Sequence, residues 1–171
     1  MHSPTPVVRP LALHDLPGLL AIQRACYGEG FVESGEVFSR RIASPANCSL
    51  VLERAGVVCA YLAAYRSARG KVTPLHGDFE PVLDADTLYL HDLAVRPDCS
   101  GQGFARALLE PLWSQAEMEG LQHTALVSVQ GSEAYWQRHG YTAQPLADAV
   151  QRARLAGYGD GAVYMVQKLV P

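Results

Sequence analysis

Long apolar runs are missing from this 171-residue chain; none approaches the ~20 residues that a bilayer-spanning helix needs. The opening Met1-His2-Ser3-Pro4-Thr5-Pro6 has neither a basic flank nor an apolar core, so no secretory signal is expected there, and a soluble, cytoplasmic protein with no membrane partner is. Cysteine is scarce. Cys26, Cys48, Cys59 and Cys99 form no C-x-x-C pair and no Cys/His cluster with zinc-ligand spacing, so no metal is expected and free thiols are. Lys and Arg number 14 against 17 Asp and Glu, for a net charge of −3, and no basic stripe appears. That removes the electrostatic footprint of a nucleic-acid binder and leaves a cationic small partner better suited. Repeats and low-complexity tracts are absent. What the chain has is 49% hydrophobic residues, enough for one domain spanning 1–171 with a sizeable core.

The pattern along the chain is mixed. Residues 7–9 read as a first strand, and Asp15-Leu16-Pro17 as an N-cap followed by proline in the first turn of a helix. Leu16, Leu19, Leu20, Gln23 and Tyr27 continue at helical spacing to Gly28, and a second helix is expected over about 34–42. Residues 49–53 and 57–65 form a hairpin about Ala55-Gly56. Residues 66–85 read as a polar connector, and a connector that long is often functional or mobile. A strand over 87–95 leads into a helix from about 103 to 119, with a kink expected at Pro111. A strand over 124–129, a helix over 132–139 and a last strand over 162–169 complete the order. The sum is α/β, with a mixed, mostly antiparallel central sheet and helices on both faces.

Between the strand at 87–95 and its helix stands Ser100-Gly101-Gln102-Gly103-Phe104-Ala105. Glycines at a strand-to-helix junction let backbone N–H groups converge on an anion, so this loop is a candidate pyrophosphate cradle. A triphosphate P-loop would need Lys then Ser/Thr where Phe104-Ala105 stand. A dinucleotide fingerprint would need a small residue at Arg106 and would open the first strand-helix unit. Neither requirement is met.

The loop does resemble that of the GNAT superfamily of acyl-CoA-dependent N-acetyltransferases, Gln/Arg-x-x-Gly-x-Gly/Ala after the fourth strand. Gly103-x-Ala105 matches, while Ser100 replaces the long side chain at the first position. Tyr135-Trp136-Gln137-Arg138-His139-Gly140-Tyr141 is similar to the family's Phe-Tyr-x-x-x-Gly-Phe segment. The stretch 89–95 is similar to the fourth strand of members that carry a histidine where His91 stands.

The resemblance implies acetyl transfer from acetyl-CoA, as co-substrate, to a primary amine of a small molecule or protein. The alternative it leaves open is a non-catalytic acyl-CoA-binding module of the same fold. A homodimer is compatible with either. The implied cofactor contacts are the backbone of Leu93, Ala94 and Val95, the loop Ser100, Gly101, Gln102, Gly103, Phe104 and Ala105, and Gln130 and Trp136 beyond the next strand. His91 is the candidate general base, and strand alternation puts it on the same face as Tyr89 and Leu93, with Asp92 on the other. Its alternative is a structural histidine. Trp136 stands where the family's tyrosine acid usually lies, and an indole cannot serve as that acid, so Tyr135 is the candidate, with Tyr141 behind it. Tyr27 and Glu33 are candidate contacts to the amine, against a solvated acidic helix face.

Overall fold

Among residues 2–169, which the computed structural model describes, the chain forms seven strands and five α-helices. In chain order they are β1 (Val7–Pro10), α1 (Leu16–Cys26), α2 (Gly35–Ala43), β2 (Leu50–Arg54), β3 (Val57–Ser67), β4 (Thr87–Val95), α3 (Phe104–Met118), β5 (His123–Ser128), α4 (Glu133–Arg138), β6 (Thr142–Ala143), α5 (Ala149–Ala156) and β7 (Val163–Lys168). One sheet in the order β1-β2-β3-β4-β5-β7-β6 holds all seven strands. Every neighbouring pair is antiparallel except β4 with β5. No described helix is long and apolar enough to cross a membrane.

Both sheet faces are covered, which is why the strands read as nearly continuous apolar runs rather than clean alternations. On one face α3 lays Phe104, Leu108, Leu109 and Leu112 against Leu52, Leu62, Leu88 and Leu126. On the other, Leu16, Leu19, Ile22 and Phe38 of α1 and α2 meet a layer of tyrosines, Tyr61, Tyr65, Tyr89 and Tyr164. Helix α3 continues unbroken across Pro111, an interior position that removes the hydrogen bond owed to the Ala107 carbonyl. The hairpin turn is as expected: Ala55 and Gly56 both have positive φ, 54° and 78°, the geometry that matches the twist of flanking strands.

Three local readings need correction. Asp15 does not cap α1 with its side chain; its carboxylate accepts from the Ala12 N–H at 2.9 Å and pairs with Arg9, so it closes the preceding turn, Leu13–Asp15, instead. The connector after β3 is not simply polar. It buries Val72, Thr73 and Phe79, and Phe79 stacks on Tyr65 at 4.3 Å, so the segment is a packed wall. Helix α5 and strand β6 add to the expected order. Gln151, Arg154 and Tyr158 tie α5 and its following turn to the backbone of Val72 and Thr73.

Strand β4 carries the departure that matters most. Ala63 pairs with Asp92 and Ala64 with Leu90, so His91 is the extra residue of a β-bulge. An inserted residue reverses the alternation beyond it. His91 stays on the Tyr89 face, but Asp92 joins it there, where it meets Tyr27 and Tyr61, while Leu93 packs on the α3 side. The expected sharing of a face by His91 and Leu93 therefore fails.

Candidate active site

Strands β4 and β5 pair in parallel only from Thr87 with His123 to Leu90 with Leu126, and beyond that rung they separate. Where they part, a cavity of about 370 Å³ opens. Its walls are Leu90, His91, Asp92, Leu93 and Val95 of β4 and Leu126 and Val127 of β5. Val129, Gln130 and Ser132 follow from the turn after β5, and Tyr135 and Trp136 from α4. Tyr27, Phe31 and Glu33 close one end, with Leu75 of the connector and Tyr158 after α5. The splay leaves the edge of β4 that faces β5 without a strand partner. The carbonyls of Leu93 and Val95 lie on that edge, accepting from the Tyr27 hydroxyl at 3.0 Å and the Cys26 thiol at 3.2 Å. Because the N–H and C=O of one strand residue point the same way, the Leu93 and Val95 amides face the gap, and the alternation turns Ala94 toward β3.

The glycine loop lies at the N-terminal end of α3. Gly101 and Gly103 have φ of 77° and 78°, which a side chain rarely adopts, and Gly103 is the N-cap of α3. The first helical bond runs from the Ala107 N–H to the Gly103 carbonyl, so the amides of Phe104, Ala105 and Arg106 have no intrahelical acceptor. Those donors, the positive end of the helix dipole and the free amides of β4 suit an extended ligand with a phosphate at one end. Two side chains of the loop are engaged in holding it. The Ser100 hydroxyl donates to the Pro97 carbonyl at 3.0 Å, and Gln102 accepts from Arg54 at 2.6 Å. Of the six loop residues only Ala105 reaches the cavity wall. Gln130 does reach it, in a left-handed conformation at φ 53°, a cost of order 1–3 kcal/mol that a non-glycine residue bears where surroundings hold it.

His91 is held by a buried ion-pair chain. Glu33 is 2% exposed and Arg41 1%, and the guanidinium spans the carboxylate with Nη1 to Oε1 at 2.8 Å and Nη2 to Oε2 at 2.5 Å. His91 Nε2 donates to the same Oε1 at 2.8 Å, and the His76 N–H donates to Oε2 at 2.8 Å. An ionised carboxylate only accepts, so Nε2 carries a proton, and in the uncharged form of the ring Nδ1 is left as the acceptor. Nδ1 is buried with no partner among the described residues. Burial pushes the Glu33 carboxyl up, but the charge of His91 and the hydrogen bonds of Arg41 and His91 prevail and hold it well below the usual carboxylate range.

The alternative of a solvated acidic face fails for Glu33, which lines the cavity. It is not on a solvated helix face; it lies before α2 in the interior, and its oxygens already receive four donors. Tyr27 is likewise interior to the network, donating to Asp92 at 2.7 Å. Burial pushes the Asp92 carboxyl above its ordinary value, against the opposing hydrogen bonds of Tyr61 and Tyr27 and the charge of His91.

Tyr135 lines the cavity, whereas Tyr141 does not: the Tyr141 hydroxyl accepts from Trp113 at 3.0 Å and contacts Thr124 at 2.9 Å in the core. Trp136 is mostly core, edge-on to Tyr141 at 5.5 Å. Sequence reasoning missed Arg41, Phe31, Leu75 and Tyr158. Arg41 stands beside Arg40 in the last turn of α2 with no local pattern to set it apart, and the others lie in segments with no periodic signal. No group of three or more metal-ligating side chains is assembled among the described residues.

Residues 16–141 match the profile of the Acetyltransferase (GNAT) family. No curated protein matches the chain significantly. Solved structures do. The ribosomal-protein-S18-alanine N-acetyltransferase of Escherichia coli superposes with a TM-score of 0.69 at 20% identity, covering 98% of this chain and 96% of that one. The loading GNATL domain of CurA from Lyngbya majuscula gives 0.75 at 15%, covering 96% and 98%. A GNAT family acetyltransferase from Brucella melitensis, solved with acetyl-CoA, gives 0.62 at 18%, covering 98% and 90%. At these identities the likeness establishes the fold, and the family match extends over most of the sequence. The chain belongs to the GNAT family of acetyltransferases.

Proposed function

We propose that this protein transfers the acetyl group of acetyl-CoA to a primary amine, with His91 as general base. The observation that carries the reading is His91 itself, fixed through Nε2 by Glu33, unpartnered at Nδ1, and set in the wall of the cavity where β4 leaves β5. Acetyl-CoA supplies an activated thioester. The α3 amides and the turn at Gly101 and Gly103 bind its phosphates, and Gln130 adds an amide contact. The Leu93 and Val95 amides pair with the pantetheine arm, and one of them faces the thioester oxygen, where negative charge develops during attack.

The amine nitrogen forms its bond to the acetyl carbon as the carbon–sulfur bond breaks. The proton it loses passes to His91 Nδ1, directly or through one water. Glu33 acts through His91: as an acceptor at Nε2 it selects the tautomer whose Nδ1 is free and stabilises the imidazolium that forms. The departing thiolate takes a proton from Tyr135 or solvent.

Calorimetry with acetyl-CoA, followed by thiol release with a panel of amines, tests this. We expect binding and release, with His91→Ala lowering kcat by roughly 10²–10⁴-fold while the Kd for acetyl-CoA stays within about twofold. Tight binding with no release against any amine would leave the non-catalytic acyl-CoA-binding module as the correct reading.

A further inference from the structure

The acceptor end of the cavity offers no carboxylate or cation without partners, and this limits what can enter. The carboxylate of Glu33 has about four acceptor positions, and all are taken: Oε1 by Arg41 Nη1 and His91 Nε2, Oε2 by Arg41 Nη2 and the His76 N–H. The other lining carboxylate, Asp92, is engaged on both oxygens, accepting Tyr27 on one and Tyr61 on the other. No lysine or arginine is among the described residues that line the cavity, and the positive charge of Arg41 is spent on Glu33. The remaining surface at this end is Phe31, Leu75 and Tyr158, and the Tyr158 hydroxyl is already donated to the Thr73 carbonyl at 2.5 Å.

We infer that the acceptor is a small primary amine on an apolar body with no second charge of either sign. The inference rests on the acetyl transfer proposed above. A second ammonium would lose its water without a free carboxylate to meet it, and an acidic group would find no unpaired cation. The lack of an unpartnered charge also helps the chemistry. Desolvation without a counter-charge lowers the pKa of an entering amine, so it favours the uncharged form that can attack.

Hexylamine, 1,6-diaminohexane and 6-aminohexanoate share one chain length and one reacting amine and differ in the charge at the far end. With acetyl-CoA and the wild-type protein, we expect hexylamine to lead in kcat/KM, with each of the other two lower by roughly a hundredfold. Leu75→Asp places an unpaired carboxylate in this wall and should raise the diamine relative to hexylamine by about tenfold. Equal or better use of the diamine or the amino acid by the wild type overturns the inference, as does preference for the terminal amine of an alanyl tripeptide, whose backbone needs polar partners. In those cases acetyl transfer itself stands. Thiol release with none of the four would overturn the transfer and this inference together.

Discussion

Replacing Glu33 by Gln changes one heavy atom in the most charge-dense part of the interior. Arg41 has 1% of its surface exposed, lies between the rings of Phe38 and Phe79 at 5.1 and 4.8 Å, and gives both terminal nitrogens to Glu33. An amide keeps one oxygen and turns two N–H donors toward groups that are themselves donors, leaving the guanidinium charge uncompensated. Breaking a buried pair from one side costs about 3–5 kcal/mol. At about 2–4 °C per kcal/mol for a domain of this size, Tm should fall by roughly 6–20 °C. Thermal and urea unfolding measure this. Turnover of the folded protein, assayed well below Tm, should also fall while acetyl-CoA Kd holds, because His91 loses its acceptor. A double variant, Glu33→Met with Arg41→Met, removes both charges and should recover much of the stability but none of the turnover. The effect also has a pH signature. The Glu33 carboxyl lies below its unfolded value of ~4.3, so the native state binds fewer protons than the unfolded chain. Its stabilisation is therefore full above about pH 4.3 and is lost as pH falls below that, so the wild type should lose more stability than the Glu33→Gln variant between about pH 5 and 2. A Tm shift under about 2 °C with wild-type kcat would refute the reasoning.

Gly103→Val should weaken acetyl-CoA binding by about tenfold or more, because φ of 78° at the α3 N-cap costs a branched residue about 1–3 kcal/mol even though a Cβ there meets nothing within 4 Å; unchanged affinity in calorimetry would remove the loop from the cofactor site. Tyr135→Phe should cost less than about tenfold in kcat: burial holds the phenol above its ordinary value of ~10, against the opposing charge of Arg138, so it is a weaker acid than a thiol of ~8.5. A hundredfold loss in thiol-release assays would instead make Tyr135 the direct proton donor.

The sheet and its main helices were legible because both signals were local. Val, Leu and Tyr cluster in β2 to β5, and the leucines of α3 recur at helical spacing. The glycine loop was legible because its chemistry lies in the backbone. Helix α5 was not, since none of its residues is buried and its stripe is mixed, although Asp148 accepts from the Val150 N–H as an N-cap should. The partners of His91 were illegible for a different reason. Glu33 and Arg41 lie 58 and 50 positions away from it in the chain, and no local pattern distinguishes a buried carboxylate from a solvated one. Nor could periodicity reveal the bulge. A regular two-residue repeat through 89–95 is what alternation predicts, and the insertion at His91 shows only in the pairing with β3.

That insertion makes β4 two half-strands in opposite phase. Up to Leu90 the leucines sit over α3 and the tyrosine over α1; from Asp92 onward the assignment is restored only because one residue was skipped. Regular pairing through His91, without the bulge, would drive Leu93 and Val95 into the tyrosine layer and Asp92 among the leucines, a failure of folding rather than of catalysis. His91 is therefore the one residue of β4 with no rung partner on β3, and its place at the cavity is set by the register of two strands rather than by any local pattern.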